Sequence, residues 1–157
     1  MKMIKIKKPI VKKPQKILCY IDFTKHSSYL VDYAYQLSKL IDAELFVLHS
    51  VTDIKSAAGF YVPHINTDKL EEELIEAAKD KMYWICNHAV GDKIDSDHRL
   101  IRRGIPIEVI NEVIEEKAIE LLILSHERSK GALSGFRTDF ADKFMKHASI
   151  PFVVLPV

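Results

Sequence analysis

Short apolar runs alternate with amphipathic stretches along this chain, and that alternation leaves few folds open. The runs are Lys16–Asp22, Glu44–Ser50, Asp97–Arg103, Glu120–Ser125 and Phe152–Leu155. The first reads Lys-Ile-Leu-Cys-Tyr-Ile-Asp, apolar at consecutive positions, as expected of a strand covered on both faces. The third, Asp-His-Arg-Leu-Ile-Arg-Arg, carries the weakest strand signal. Between the runs, apolar residues recur at helical spacing: Leu30, Ala34, Leu37 and Ile41; Leu70, Leu74, Ala78, Met82 and Ile85; Ile107, Ile110, Val113 and Ile114; and Phe140, Phe144, Met145 and Ala148. Ser27 or Ser28 is the expected cap of the first helix, and Thr67 of the longest. Gly91 follows the end of the longest helix, and Pro106 suits the first turn of the next, where its missing N–H costs nothing. Strands alternating with helices in this order imply an α/β domain of parallel strands joined by right-handed crossovers.

The 157 residues fit one domain, and 48% hydrophobic content supplies a sizeable core. No apolar run approaches the ~20 residues that span a bilayer. No h-region follows the basic start, so no signal peptide is expected. Two cysteines, Cys19 and Cys86, do not make a disulfide framework, and both sit among apolar neighbours, which reads as core thiols in a cytoplasmic protein. The net charge of +1 conceals an asymmetry. Met1–Gln15 holds six lysines and no acid, leaving 17 basic against 22 acidic residues in the remainder, a net of −5. The expected organisation is a flexible basic tail over residues 1–15 and a single domain over 16–157. The tail reads first as a solvated terminus. Contact of its lysines with nucleic acid or an anionic membrane is the alternative it offers, whereas the acidic body excludes nucleic-acid binding by bulk charge.

In a parallel sheet, the loop leaving the carboxyl end of a strand is the usual ligand site. After the fourth run that loop reads Ser125-His-Glu-Arg-Ser-Lys-Gly-Ala-Leu-Ser-Gly-Phe-Arg-Thr138. It matches no standard catalytic signature. His126-Glu127 lacks a second histidine four residues on, where Lys130 stands, so it is not a zinc-protease helix. Gly131-Ala-Leu-Ser-Gly135 has Leu133 where a nucleophile elbow needs serine. The Walker spacing fails at Phe136, and no G-x-G-x-x-G occurs. The seven histidines are scattered rather than clustered, so no metal site is expected. No catalytic residue is assigned, and enzymatic activity has no positive support.

Five segments carry a resemblance: residues 16–24, 44–51, 103–110, 121–126 and 150–155, that is, Lys-Ile-Leu-Cys-Tyr-Ile-Asp-Phe-Thr, Glu-Leu-Phe-Val-Leu-His-Ser-Val, Arg-Gly-Ile-Pro-Ile-Glu-Val-Ile, Leu-Leu-Ile-Leu-Ser-His and Ile-Pro-Phe-Val-Val-Leu. In this order and spacing they make the chain resemble the universal stress protein (UspA) family over nearly all of Lys16–Val157. The resemblance implies a Rossmann-like open five-stranded parallel sheet, order 3-2-1-4-5, with helices on both faces. It also implies a homodimer formed through the last strand, Phe152–Leu155, an apolar run at a sheet edge that invites pairing.

Some members of that family bind ATP through an acid at the end of the first strand and a loop of glycine, two residues, glycine, nine residues, then glycine and serine or threonine. Asp22 matches the acid. Counting back from Pro151 puts Ser125 and Arg128 at the first two glycine positions, and Thr138-Asp139 on the final pair. In that register all three glycines are replaced. Glycine lets backbone N–H groups approach phosphates at positive φ; side chains obstruct that approach. Asp139 would set a carboxylate at a helix N-terminus, against phosphates seeking the same positive end, and two charges ~4 Å apart repel by about 4 kcal/mol at an effective dielectric near 20. Against this, Arg128, Lys130 and Arg137 offer cations and Gly131 and Gly135 a rearranged cradle. Asp22 and Thr138 also read as plain turn and helix caps.

The resulting expectation is a homodimeric stress-response protein with a degenerate ATP-binding loop, no tightly bound cofactor, and an unidentified protein partner. The alternative is an adenine-nucleotide binder, a gated switch or slow ATPase holding ATP with Mg²⁺. Its site would comprise Asp22, Val47, Leu48, Ser125, Arg128, Lys130, Gly131, Arg137, Thr138 and Asp139.

Overall fold

The computed structural model describes residues 12–52, 67–126 and 143–157. Residues 1–11, 53–66 and 127–142, with Phe140 among them, lie outside the described residues. Five strands are present: β1 (Lys16–Tyr20), β2 (Glu44–Val51), β3 (Arg99–Arg103), β4 (Leu121–His126) and β5 (Phe152–Pro156). Three helices connect them: α1 (Ser27–Leu40), α2 (Thr67–Val90) and α3 (Pro106–Lys117). Residues 143–147 are also helical. The strands form one sheet in the order β3-β2-β1-β4-β5, and every pairing is parallel. The expected α/β architecture and strand order are therefore both present.

Strand periodicity sorts the core into two layers. Ile17, Cys19, Leu45, Val47 and Ile123 face α1 and α2, where Leu30, Val31, Ala34, Met82, Ile85 and Cys86 close over them. Leu18, Tyr20, Phe46, Leu48, Leu122 and Leu124 face the other way, beneath Val109, Ile110, Val113 and Ile114 of α3 and Phe144. The central strands are covered on both faces, which is why their apolar residues run consecutively. Each fully buried Leu, Ile or Val contributes about 1.5–3 kcal/mol relative to exposure.

Local expectations met the structure unevenly. Pro106 opens α3 as its spacing suggests, and α3 closes on Ala118 in the left-handed region, φ 53°. The N-cap of α1 is His26, without a side-chain cap bond. Ser27 is turned into the core instead, its hydroxyl without a partner, because the face that packs on the sheet includes its position. The third strand begins at Arg99 and not at Asp97, since Ser96–His98 winds into a short 3-10 turn. On α2, Leu70 and Leu74 stay 36% and 38% exposed, and the buried line starts at Ala78. The first turns are held instead by Glu71, whose buried carboxylate pairs with Arg103 at the end of β3. The segment assigned to the tail is tied to the domain at its end: the Gln15 N–H donates to Glu120, the Gln15 carbonyl accepts the Glu44 N–H at 2.8 Å, and Lys12 lies 3.7 Å from Glu120. Among the described residues no helix is long and apolar enough to cross a membrane.

Gly104 links β3 to α3 at φ +135°, and a Cβ there would meet Val109 Cγ2 at 2.9 Å. Gly104→Ala is expected to destabilise the domain by about 1–3 kcal/mol, since the backbone conformation and the space both exclude a side chain. A lowered urea midpoint at unchanged slope is the readout; an unshifted midpoint would contradict this account.

Candidate functional site

The order β3-β2-β1-β4-β5 reverses direction at β1: the chain runs outward to β2 and β3 on one side, then returns to β4 and β5 on the other. The crevice between the carboxyl ends of β1 and β4 is the position where such sheets take ligands. Asp22 stands just past β1 there, exposed, and its Oδ1 accepts the backbone N–H of Thr24 at 3.1 Å. This is the Asx-type turn that its sequence position suggests, and it commits one carboxylate oxygen to the chain's own backbone.

Between Asp22 and Thr24, Phe23 takes a positive φ of 61°, an uncommon state for an aromatic residue. Its ring stacks on His49, with centroids 3.6 Å apart and planes 14° apart. His49 Nδ1 lies 2.8 Å from the Ile21 carbonyl oxygen, so that nitrogen carries the proton and donates. One step back, the Ile21 N–H donates to the Leu48 carbonyl at 2.9 Å. The ends of β1 and β2 are thus locked by a main-chain bond, a side-chain bond and a ring stack. The Lys81 ammonium lies 5.3 Å from the Phe23 centroid, which brings α2 to the same edge. Burial holds the His49 imidazole below its ordinary pKa range. The Ile21 bond and Asp22 oppose that shift, and Lys81 adds to it. Deeper in, the Tyr20 hydroxyl and Ser50 Oγ are 2.9 Å apart, and burial raises the phenol's pKa.

The ten candidate residues are placed unequally. Asp22 and Ser125 reach the carboxyl edge. Val47 and Leu48 are 0% exposed, one in each core layer, so their side chains line the core and not a crevice. Ser125 is half-buried inside β4, because strand pairing continues past it: Ser125 is in register with Leu155 and His126 with Pro156, and the Val157 N–H donates to the His126 carbonyl at 3.0 Å. Arg128, Lys130, Gly131, Arg137, Thr138 and Asp139 lie outside the described residues. Sequence reasoning gave Phe23 no role and set His49 aside with the other scattered histidines. The stack on Phe23 and the bond to Ile21 are what hold it.

Elsewhere, Asp95, Asp97 and His98 form the one group of three potential metal ligands among the described residues, at the opposite end of β2. Both His98 ring nitrogens already face carboxylates, Glu44 at 2.8 Å and Asp97 at 3.1 Å, which explains the cluster as hydrogen bonding. Cys19 and Cys86 are buried. Burial pushes the Cys86 thiol up to about 11 and the Cys19 thiol higher still, so neither is poised as a thiolate.

An all-parallel sheet in the order β3-β2-β1-β4-β5, with helices on both faces, defines a Rossmann-like α/β architecture. Residues 13–156 match the Universal stress protein family, and the chain belongs to that family. It is 32% identical over 100 residues to Universal stress protein A homolog 2 of Coxiella burnetii, a match covering 63% of this chain and 66% of that protein. Among solved structures it is similar to the hypothetical protein MJ0577 (22% identity, TM-score 0.67, 93% of this chain and 98% of that one). It is also similar to UspA from Lactobacillus plantarum (15% identity, TM-score 0.64, 92% and 99%). A third likeness is to a universal stress protein solved in complex with cAMP (14% identity, TM-score 0.55, 92% and 98%).

His49 yields a pH prediction. The unfolded chain takes up a proton here as the pH falls through about 6.5, while the folded chain still excludes it, so the unfolded state binds more protons in that window. His49 therefore supports folding above that pH and loses its contribution as the pH falls toward its depressed folded value. His49→Gln is expected to flatten the fall in stability between about pH 7 and pH 5 seen in denaturant titrations. An equally steep fall in the variant would rule out this role.

Proposed function

We propose that this chain works as a homodimeric regulatory member of its family, acting through protein contacts, and that its crevice does not hold ATP tightly in the pose that rests phosphates on glycine-lined main chain. The observation that carries this reading is the run of β4 through Ser125, where the first glycine would stand, into register with β5 as far as Pro156. Backbone paired as a strand is not open to cradle a phosphate. The replaced glycines at Arg128 and Thr138, the carboxylate of Asp139, and the engagement of Asp22 with Thr24 support it further.

The dimer rests on β5. It is the one strand with no buried residue, although Phe152, Val153, Val154 and Leu155 are all apolar. Val153 and Leu155 lean on the α1 layer and Phe152 on the α3 layer; Val154 joins neither core cluster. A half-covered apolar edge strand is an open template for a second copy.

The second reading, an adenine-nucleotide switch, draws on the exposed Asp22 at the β1/β4 switch and on the related fold captured with cAMP. Calorimetric titration with ATP and Mg²⁺ separates the two. No heat is expected, and a micromolar Kd would overturn the first reading. Light scattering is expected to report a dimer at micromolar concentration, and Val154→Asp a folded monomer. A wild-type monomer, or an unaffected dimer in the variant, would remove β5 as the interface.

A further inference from the structure

Where α2 packs against β3, the edge strand of the sheet, a cavity of about 360 Å³ remains. That volume lies in the range of small-molecule sites. Met82 and Ile101 supply its apolar lining, Tyr83 and Ser96 hydroxyls, and Lys79, Arg99 and Arg102 cations. The arrangement follows from local geometry. Lys79, Met82 and Tyr83 fall on one face of α2 at spacings of three and four, and Arg99 and Ile101 on one face of β3 at a spacing of two.

The three cations are not equally committed. Lys79 Nζ lies 2.7 Å from Glu76 and Arg102 Nη2 3.4 Å from Glu116, both at the surface. Such pairs are weak and exchange readily for a better anion. Arg99 makes no ion pair among the described residues; its guanidinium sits 4.9 Å from the Tyr83 ring centroid, which orients the group without neutralising it. A guanidinium oriented this way, with no ion pair among the described residues and a second cation in the same cavity, suits the planar, multi-oxygen face of a phosphate. The edge of β3 is less suited to an added strand, because Arg102 Nη1 donates to the Ile101 carbonyl at 3.4 Å and occupies a main-chain acceptor there.

We propose that this cavity binds a small phosphate monoester with an apolar or aromatic body. Arg99 and Lys79 hold the phosphate, the Ser96 hydroxyl donates to it, and Met82, Ile101 and Tyr83 cover the body. The site shares no lining residue with Asp22, Phe23, His49 or Ser125 and does not depend on whether the carboxyl edge takes a nucleotide.

The test is an NMR titration of the isotope-labelled full chain with phenyl phosphate, with phenol and inorganic phosphate as partial probes. Phenyl phosphate is expected to shift the amides of Tyr83, Ser96, Arg99 and Ile101 at millimolar concentration, and each partial probe to bind more weakly. Arg99→Gln is expected to weaken binding about tenfold or more, and Lys79→Gln, at an exposed side chain on the cavity rim, to weaken it in a fold that the spectrum shows intact. Absence of shifts, shifts confined to Asp22, His49 and Ser125, undiminished binding in both variants, or a response to an acidic peptide alone would each overturn the proposal.

Discussion

β1 has no side left open to water: β2 and β4 flank it in the sheet, α1 and α2 lie over one face, and α3 lies over the other. Ile17, Leu18 and Cys19 are completely buried. A strand in that position must be apolar throughout and must satisfy its backbone through its two neighbours, because an unpaired buried N–H or C=O costs about 1–3 kcal/mol. Polar residues can appear only where the strand leaves the sheet. That constraint delivers Asp22, Phe23 and Thr24 together to the carboxyl edge, and it explains why the exposed carboxylate stands beyond Tyr20 and not within β1.

The same logic governs the edge itself. Ile21 donates its N–H to Leu48 and accepts the imidazole N–H of His49 with its carbonyl, so one residue joins the end of β1 to the end of β2 twice. Phe23, held at positive φ, closes over that junction by stacking on His49. The conformational cost at Phe23 is met by ring contact and burial. A rigid strand end of this kind fixes the position of Asp22 while leaving its carboxylate in solvent.

Much of the fold was legible because it depends on patterns local in sequence. Consecutive apolar residues marked β1, β2 and β4, helical spacing marked α3, and alternation of the two implied the parallel sheet. What escaped depends on residues distant in sequence. Leu70 and Leu74 kept helical spacing yet stayed partly exposed, while Glu71 between them was drawn inward by Arg103, 32 residues away. Ser27 looked like a cap and became a core residue. The Phe23–His49 stack joins positions on two strands, and nothing in a phenylalanine announces a left-handed backbone. For the candidate site, Asp22 was placed correctly at the strand end and its turn-forming bond was anticipated. Val47 and Leu48 were included in that site as a segment of β2; strand alternation sends their side chains into the two core layers.

The two margins of the sheet differ in chemistry. β5 presents Phe152 to Leu155, and β3 presents Arg99, Arg102 and Arg103. Copies that meet margin to margin along β5 would have only arginine-bearing borders left to offer, where long charged side chains and the Arg102 bond to the Ile101 carbonyl stand in the way of an added strand. Growth of the sheet from molecule to molecule would therefore terminate after a single union, and an open-ended ribbon, the hazard of any uncapped parallel sheet, would be foreclosed by the distribution of charge along one strand.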